Sequence, residues 1–342
     1  MHVKAVAPEY QGALSALSVN TSLEEVLDTA RSHASAATDP VDRARAALAV
    51  AEACRRLGRV GEAERAWRSS YRAAREADDQ AGMAWALWSG GTLARQRGRF
   101  PFADRWLRLA ASLAERGRDR VARGYALAGL AETGRVQGDF AGTLELHEQL
   151  LAEARAHGEP RHTVWALEGI AQIHRHNGDH ELALAMFAEA LSIAEEADDQ
   201  RGRAWALRGI ADLMSLRGDP EQALELLTDA EQTCRAMRLD SALAYNHKMR
   251  GNVLYRAGRY AEAEHVYQDT IAEFAEIEER RGEALARLGL VKSRARQGAP
   301  RADVAAELTA LRARFARDGL HHAVEMVDAA RRDLVESGVS AG

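Results

Sequence analysis

The chain has 342 residues, of which 28% are charged and 46% hydrophobic, and its formal net charge is −5. This balance is typical of a soluble globular protein, and its mild acidity argues against a nucleic-acid partner, which usually meets a basic surface. The first ten residues lack the basic and then apolar order of a signal peptide, and no apolar run approaches the roughly 18–20 residues of a membrane span. We therefore expect a cytoplasmic protein with no membrane partner.

Two residue counts narrow the class further. The cysteines, Cys54 and Cys234, are too few for a disulfide framework or a four-ligand zinc site. Only three of the 46 basic residues are lysines (Lys4, Lys248 and Lys292) and the others are arginines. Because this bias is typical of genomes rich in G and C, we expect a bacterial source.

A 40-residue repeat organises the chain. Each repeat contains two stretches of helical apolar periodicity separated by a glycine, which suits the left-handed residue at a helix end. The unit is therefore predicted to be helix, tight turn, helix, and its fixed period indicates a solenoid. The seven glycines are Gly58, Gly98, Gly138, Gly178, Gly218, Gly258 and Gly298.

In chain order, the sequence predicts a flexible N-terminus over residues 1–20 and one solenoid over residues 21–336. The solenoid begins with a half unit over residues 21–37, continues through about seven helical hairpins, and ends with a capping helix over residues 320–336. Residues 337–342 are predicted to be a flexible tail. The predicted fold class is therefore an all-α solenoid.

Two of the units carry a family resemblance. The residues that match the consensus are Leu207, Ile210, Ala211, Ala223, Leu227 and Ala230 in one unit, and Leu167, Ile170, Ala171, Ala183, Phe187 and Ala190 in the unit before it. On these residues the chain resembles a tetratricopeptide-repeat protein of the long-helix, 40-residue type found in bacterial regulators and kinesin light chains. The resemblance implies a right-handed superhelix whose first helices line a concave groove.

The face implied to line the groove carries two ladders of side chains. Residues three, four and seven apart share one side of a helix, so Trp205, Arg208 and Asp212 lie together, as do their equivalents in other units. The aromatic ladder is Trp85, Tyr125, Trp165, Trp205 and Tyr245, with Trp88 beside its first ring. The arginine ladder is Arg55, Arg95, Arg135 and Arg175, and the carboxylates beside the ladders are Glu132, Glu168 and Asp212.

Rings next to guanidinium groups suit a ligand that has apolar or π surface together with negative charge. We therefore predict that both ladders bind a ligand. Two structural alternatives remain open: the rings could pack between units, and the arginines could pair with Glu52 and Glu132 inside the groove.

The unit around Gly258 departs from the repeat. His247 and Arg250 occupy places that hold leucine or isoleucine in other units, and with Lys248, Asn252 and Tyr255 they predict a dense polar cluster. This cluster is either a degenerate repeat near the end of the array or the ligand-contacting end of the groove.

The histidine-rich segment over residues 174–181 raises the question of a metal site. His174 and His176 lie about 200° apart around a helix, so they cannot both face one ion, and no nearby cysteine completes a ligand set. We predict no metal and no cofactor. Motifs for hydrolases, nucleotide binding and metalloproteases are also missing, so we predict no catalytic residues.

These observations favour a binding scaffold or adaptor that holds a peptide or protein segment in its groove, with a regulatory role. The alternative is small-molecule binding in the same groove, by a ligand sensor or a cofactor-free enzyme of specialised metabolism. An end of the array could also join two copies into a homodimer.

Overall fold

The computed structural model describes residues 23–336, so the predicted flexible ends, 1–20 and 337–342, lie outside the described residues. In this part of the chain all regular structure is helical. The helices are α1 (Leu23–Ala36), α2 (Pro40–Arg56), α3 (Val60–Glu76), α4 (Gln80–Gln96), α5 (Phe100–Arg116), α6 (Arg120–Gln137), α7 (Phe140–His157), α8 (Pro160–Asn177), α9 (His180–Glu196), α10 (Gln200–Leu216), α11 (Pro220–Ala236), α12 (Asp240–Arg256), α13 (Tyr260–Glu276), α14 (Arg280–Arg296), α15 (Arg301–Arg317) and α16 (His321–Arg331), followed by a π-helical turn (Arg332–Glu336).

The helices follow the predicted order. Helix α1 is the half unit, α2 to α15 form seven consecutive hairpins, and α16 is the capping helix. The predicted all-α solenoid is therefore confirmed. No helix in the described region combines the length and the apolar character needed to cross a membrane.

The turns inside the hairpins hold the repeated glycines in the left-handed region, with Gly58 at φ 70° and Gly138 at φ 94°. The turns between hairpins use the same backbone conformation without glycine in five cases, for example Asp78 at φ 52° and Arg238 at φ 49°. A left-handed residue lets the following N–H groups bond to the last carbonyls of the helix. Both kinds of turn therefore end a helix in the same way, and among the described turns between hairpins or before the capping helix only those at Gly158 and Gly319 use glycine.

Aspartates begin several of the first helices. The side chain of Asp119 accepts a hydrogen bond of 2.9 Å from the Ala122 N–H, and that of Asp199 accepts one of 3.1 Å from the Gly202 N–H. Such N-caps satisfy backbone donors that have no partner inside the helix. They explain why the connections between units are short and acidic.

Large side chains on the second helices pack against glycines on the next first helix. The Phe187 ring fills the space that a Cβ atom would need at Gly209, and the Tyr267 ring does the same at Gly289. Where the second helix carries the smaller Leu227, the matching place on α12 holds Met249, which packs on the same cluster. The aromatic side chains Phe187 and Tyr267 thus pack against glycine, whereas the smaller Leu227 leaves room for methionine.

The helices form two compact units. Unit 1 comprises residues 23–133 with 152–154, and unit 2 comprises residues 134–151 and 155–336. In unit 2 the last helix, α16, contacts the first two helices of the unit, α7 and α8. The ring of His322, in α16, lies 5.4 Å from the Phe140 ring in α7 and 4.7 Å from the His176 ring in α8, measured between centroids.

Candidate functional site

The first part of the aromatic ladder lies in the core of unit 1. Trp85 is fully buried, and its ring centroid lies 5.6 Å from that of Trp88 and 5.0 Å from that of Tyr125. The Trp85 indole donates a hydrogen bond of 2.8 Å to the Asp119 carboxylate. These three rings occupy the packing role that the sequence left open as an alternative to ligand binding.

Carboxylates accompany the arginines of unit 1. Arg95 lies 3.8 Å from Glu132, and Arg55 binds the fully buried Glu52 at 2.6 Å. Burial raises the pKa of the Glu52 carboxyl, but Arg55 outweighs burial and holds that pKa below its ordinary value. Ser89 donates a further hydrogen bond of 2.7 Å to Glu52. In unit 1 the carboxylates thus neutralise the neighbouring guanidinium groups.

The three ladder aromatics of unit 2 are only half-buried. Trp165 lies beside His162, with the ring centroids 5.8 Å apart, and Trp205 lies under the Arg201 guanidinium at 4.5 Å. Tyr245 packs edge-on against Phe274. Trp165, Trp205 and Tyr245 belong to the first helices α8, α10 and α12. They keep part of their surface available for contact with a ligand.

Asp212 is the electrostatic centre of this part of unit 2. It lies on α10, and its two oxygens bind Arg256 at 2.7 Å and Arg175 at 3.1 Å. Burial raises the pKa of the Asp212 carboxyl, but the two guanidinium groups outweigh burial and hold it below its ordinary value. Asp212 is therefore charged at neutral pH and forms ion pairs with two cations.

Lys248 lies next to this pair, on α12. Burial lowers the pKa of its ammonium group to about 7, and repulsion from Arg281, Arg208 and Arg256 adds to that effect, while Asp212 opposes it. Among the described residues, the Lys248 side chain has neither a hydrogen bond nor an ion pair. It is a positive charge that the described side chains leave without a direct partner.

Other cations extend the site along the first helices. Burial lowers the pKa of the Arg208 guanidinium. The Glu168 carboxylate opposes that effect, and repulsion from Arg135 adds to it. Arg281, on α14, donates a hydrogen bond of 3.3 Å to the Tyr245 hydroxyl. We define the cationic cluster as Arg175, Arg208, Lys248, Arg256 and Arg281, with Asp212 at its centre.

Two residues of α12 beside the cationic cluster, Asn252 and Tyr255, are held by contacts with neighbouring helices. The Lys292 ammonium lies 4.5 Å from the centre of the Tyr255 ring, and the Asn252 carbonyl oxygen accepts a hydrogen bond of 2.7 Å from the buried Tyr267 hydroxyl. These contacts fix Asn252 and Tyr255 in place, beside the cations.

His247 and Arg250 face a different direction from Lys248. His247 lies 2.8 Å from the Glu273 carboxylate on α13 and 3.5 Å from Glu231 on α11, and Arg250 binds Glu231 at 3.3 Å. The polar cluster predicted around Gly258 is thus divided between two faces of α12. One face holds the second helices together, and the other carries Lys248.

The histidines of the segment 174–181 are separated in the same way. His174 lies 3.3 Å from the Asp179 carboxylate, whereas His176 stacks on Phe140, with the ring centroids 4.1 Å apart. His176 also meets His322 where unit 2 closes on itself. The segment therefore makes packing and capping contacts at the ends of helices.

Three residues near the ladders were not predicted from the sequence: Arg201, Arg256 and Arg281. Arg201 and Arg281 occupy equivalent places 80 residues apart, one helical turn before the ladder, so the repeat itself could have identified them. Arg256 has no such signal, because it lies one residue beyond the last ladder position of α12.

Comparison with known proteins identifies the repeat. A tetratricopeptide-repeat family model matches residues 121–196 and 163–236. No curated protein matches this sequence.

Solved structures share the fold over most of the chain. The Rap conjugation gene regulator of plasmid pLS20, in complex with the Phr* peptide, has a TM-score of 0.62 at 12% identity and covers 89% of this chain and 78% of that one. A Rap protein complexed with Competence and Sporulation Factor has a TM-score of 0.57 at 14% identity, covering 83% and 81%. The apo form of the quorum sensor NprR from B. thuringiensis has a TM-score of 0.51 at 14% identity, covering 82% and 84%. At these identities the likeness is one of fold.

Proposed function

Because the chain is a tetratricopeptide-repeat protein, we propose that it is a regulatory adaptor that binds a peptide or protein segment along the first helices of unit 2. Two structures of similar fold support this proposal: one is a gene regulator in complex with a peptide, and another is a quorum sensor. Those are properties of those proteins. For this chain, the argument depends on the residues of unit 2.

The observation that carries the proposal is the cationic cluster beside half-buried rings. Arg175 and Arg256 share the single carboxylate of Asp212, and Lys248 has no ion pair among the described residues. Trp165 and Trp205 lie on the same first helices and keep exposed surface. A peptide offers both apolar side chains for the rings and a negative group for the cations, and aromatic and arginine residues dominate such interfaces.

A library of fluorescein-labelled random octapeptides, screened by fluorescence anisotropy against the full chain, tests the proposal. We expect Trp165→Ala and Trp205→Ala each to weaken the best binders at least tenfold, because truncating an aromatic hot spot at an interface costs about 2 kcal/mol or more. Phe102→Ala is the matched control, since Phe102 is an aromatic residue of unit 1 that is 45% exposed. The proposal would be abandoned if no octapeptide bound, or if both tryptophan variants bound as tightly as the wild type.

A small organic anion is the alternative ligand, for a sensor or a cofactor-free enzyme. The same observation favours it, because a lysine with a pKa of about 7 inside a cationic cluster could bind a compact acid. Native mass spectrometry of the protein purified from its own host separates the two proposals. A retained mass of a few hundred daltons would favour the small ligand, and a peptide-sized mass would favour the adaptor. The same spectrum would report a homodimer.

A further inference from the structure

The outer side of α5 carries an exposed apolar stripe. Phe102 is 45% exposed and Leu109 is 40% exposed, and Trp106 lies half-buried between them. Residues four and seven positions apart share one side of a helix, so the three side chains lie in one line. The Phe102 ring lies 5.6 Å from the Trp106 ring, which in turn lies 4.8 Å from the buried Trp67 ring, measured between centroids. We define Phe102, Trp106 and Leu109 as the α5 stripe.

The two exposed residues of the α5 stripe depart from the repeat. Leu109 is the only apolar residue at its place in the seven units, since the equivalent residues are Ser69, Gln149, Glu189, Asp229, Asp269 and Thr309. Phe102 is the only aromatic residue at its place, where the other units hold Glu62, Gly142, Leu182, Gln222, Glu262 and Ala302. The stacking of units therefore does not require a large apolar side chain at either place. Contiguous exposed apolar surface with a polar border is typical of an interaction site.

The charges beside the α5 stripe make this helix complementary to itself. Asp104 and Arg108 lie two residues before and after Trp106 and bind each other at 2.9 Å, with side chains that are 43% and 66% exposed. When two copies of α5 meet antiparallel about a two-fold axis beside Trp106, Phe102 of each copy faces Leu109 of the other. In the same arrangement Asp104 of each copy faces Arg108 of the other. One helix thus supplies both halves of an apolar contact and of an ionic contact.

We propose that the chain forms a two-fold homodimer in which the α5 stripes of two copies pack antiparallel against each other. The homodimer goes beyond the proposed function and does not depend on it, because α5 belongs to unit 1 and the proposed peptide site to unit 2. Burial of Phe102 and Leu109 drives the contact, and the reciprocal pairs of Asp104 and Arg108 select the antiparallel register. The surface of one helix is small, so the dimer is weak, with a dissociation constant of roughly 1–100 µM.

Sedimentation velocity of the full chain, from about 1 to 200 µM, measures the association. We expect Leu109→Asp to raise the dissociation constant at least tenfold, because the contact would then bury a carboxylate against the Phe102 ring. Leu182→Asp is the matched control, since Leu182 is a 45% exposed leucine on the second helix α9, at the place equivalent to Phe102. The control should associate as tightly as the wild type. Circular dichroism confirms that both variants remain helical.

Exchange of the charges tests the antiparallel register. Asp104→Arg places like charges opposite each other in a homodimer, and so does Arg108→Asp, so each variant alone should associate at least tenfold more weakly than the wild type. In an equimolar mixture, a heterodimer of the two variants restores both ion pairs across the contact. Native mass spectrometry of the mixture, with one variant labelled with ¹⁵N, should therefore show the heterodimer as the main dimeric species.

Three results would overturn the proposal. One is a wild-type chain that stays monomeric at about 200 µM. Another is a dimer that Leu109→Asp leaves intact, or that Leu182→Asp disrupts equally. The third is a mixture of the two charge variants without a heterodimer, which would show that the copies do not meet in this register. None of these results bears on the binding of octapeptides, which Trp165→Ala and Trp205→Ala test separately.

Discussion

Arg256 and Asp212 join two consecutive first helices, with the Arg256 Nη1 atom 2.7 Å from the Asp212 Oδ1 atom. The Asp212 side chain is only 4% exposed, and its second oxygen binds Arg175 from the preceding 40-residue repeat. One carboxylate thus links the first helices of three successive 40-residue repeats.

Replacing Asp212 with asparagine should destabilise unit 2. The substitution removes the only charge between Arg175 and Arg256, which then face each other across a largely buried site. We expect the free energy of unfolding to fall by about 2 kcal/mol, which allows for the partial exposure of the two arginines. Urea denaturation at pH 7 measures this change.

Asp229→Asn is the matched control. Asp229 binds Arg203 at 2.6 Å, but its side chain is 45% exposed, so the loss should stay below about 1 kcal/mol. Equal losses in the two variants would show that Asp212 has no special structural role.

Gly258→Ala should also lower the stability, for a reason confined to the backbone. Gly258 has φ 77°, and a Cβ atom there would meet nothing within 4 Å, so the cost is purely conformational. Left-handed backbone costs an alanine about 1 kcal/mol. The measurement is again the free energy of unfolding in urea.

Gly61→Ala provides the opposite case. Gly61 lies near the start of α3, where an added Cβ atom would meet only the flexible Arg65 side chain, at 3.7 Å. Alanine is preferred over glycine in a helix by about 1 kcal/mol, so this variant should gain stability. A loss of stability in both variants would contradict the conformational argument.

His162 should make the protein less stable in acid. The residue is 4% exposed, and burial, assisted by Arg161, lowers its imidazole pKa to about 4. Because an unfolded histidine has a pKa of about 6.5, protonation favours the unfolded chain, so stability is complete above pH 6.5 and falls as the pH approaches 4. His162→Gln should remove about 3 kcal/mol of the difference between pH 7.5 and pH 4. Urea midpoints of both proteins across that range test the prediction, which fails if the two curves stay parallel.

His247 should have the opposite effect. Burial lowers its imidazole pKa, but Glu273 and Glu231 outweigh burial and raise it above the ordinary value. The ion pairs therefore stabilise the fold fully below pH 6.5, and the benefit is lost as the pH rises through the folded pKa. His247→Gln should cost about 1 kcal/mol at pH 6 and less at pH 9. A cost that grows with pH would show that the imidazole is held in its neutral form.

The turns show how far the sequence could predict the fold. The repeated glycines predict a left-handed residue in the turn of each hairpin, and the 40-residue period then predicts the order of the helix pairs. Asp78 and Arg238 adopt the same conformation although neither is glycine, so the sequence does not reveal the backbone of these turns. Local chemistry thus marks the turn inside each hairpin, whereas of the described turns between hairpins or before the capping helix only those at Gly158 and Gly319 carry glycine.

The site was predictable to the extent that it follows helical spacing. Arg208 and Lys248 are equivalent residues 40 positions apart, so the sequence alone places them in neighbouring units on the same face. Helical spacing cannot show which rings are buried in the core. Trp85 is buried, whereas Trp205, at the equivalent position three repeats later, is only half-buried. Helical spacing also does not identify the contact of Arg256 with Asp212, because Arg256 lies one residue beyond the ladder position of α12.

The pairing of second-helix side chains with first-helix glycines constrains how the chain can change. Phe187 needs Gly209, whereas Leu227 leaves room for Met249, so the two positions share one volume between them. A larger residue at either position alone would overfill the interface, and a smaller one would leave a void. Related sequences should therefore vary at these two positions together, with glycine retained wherever an aromatic ring such as that of Phe187 occupies the space.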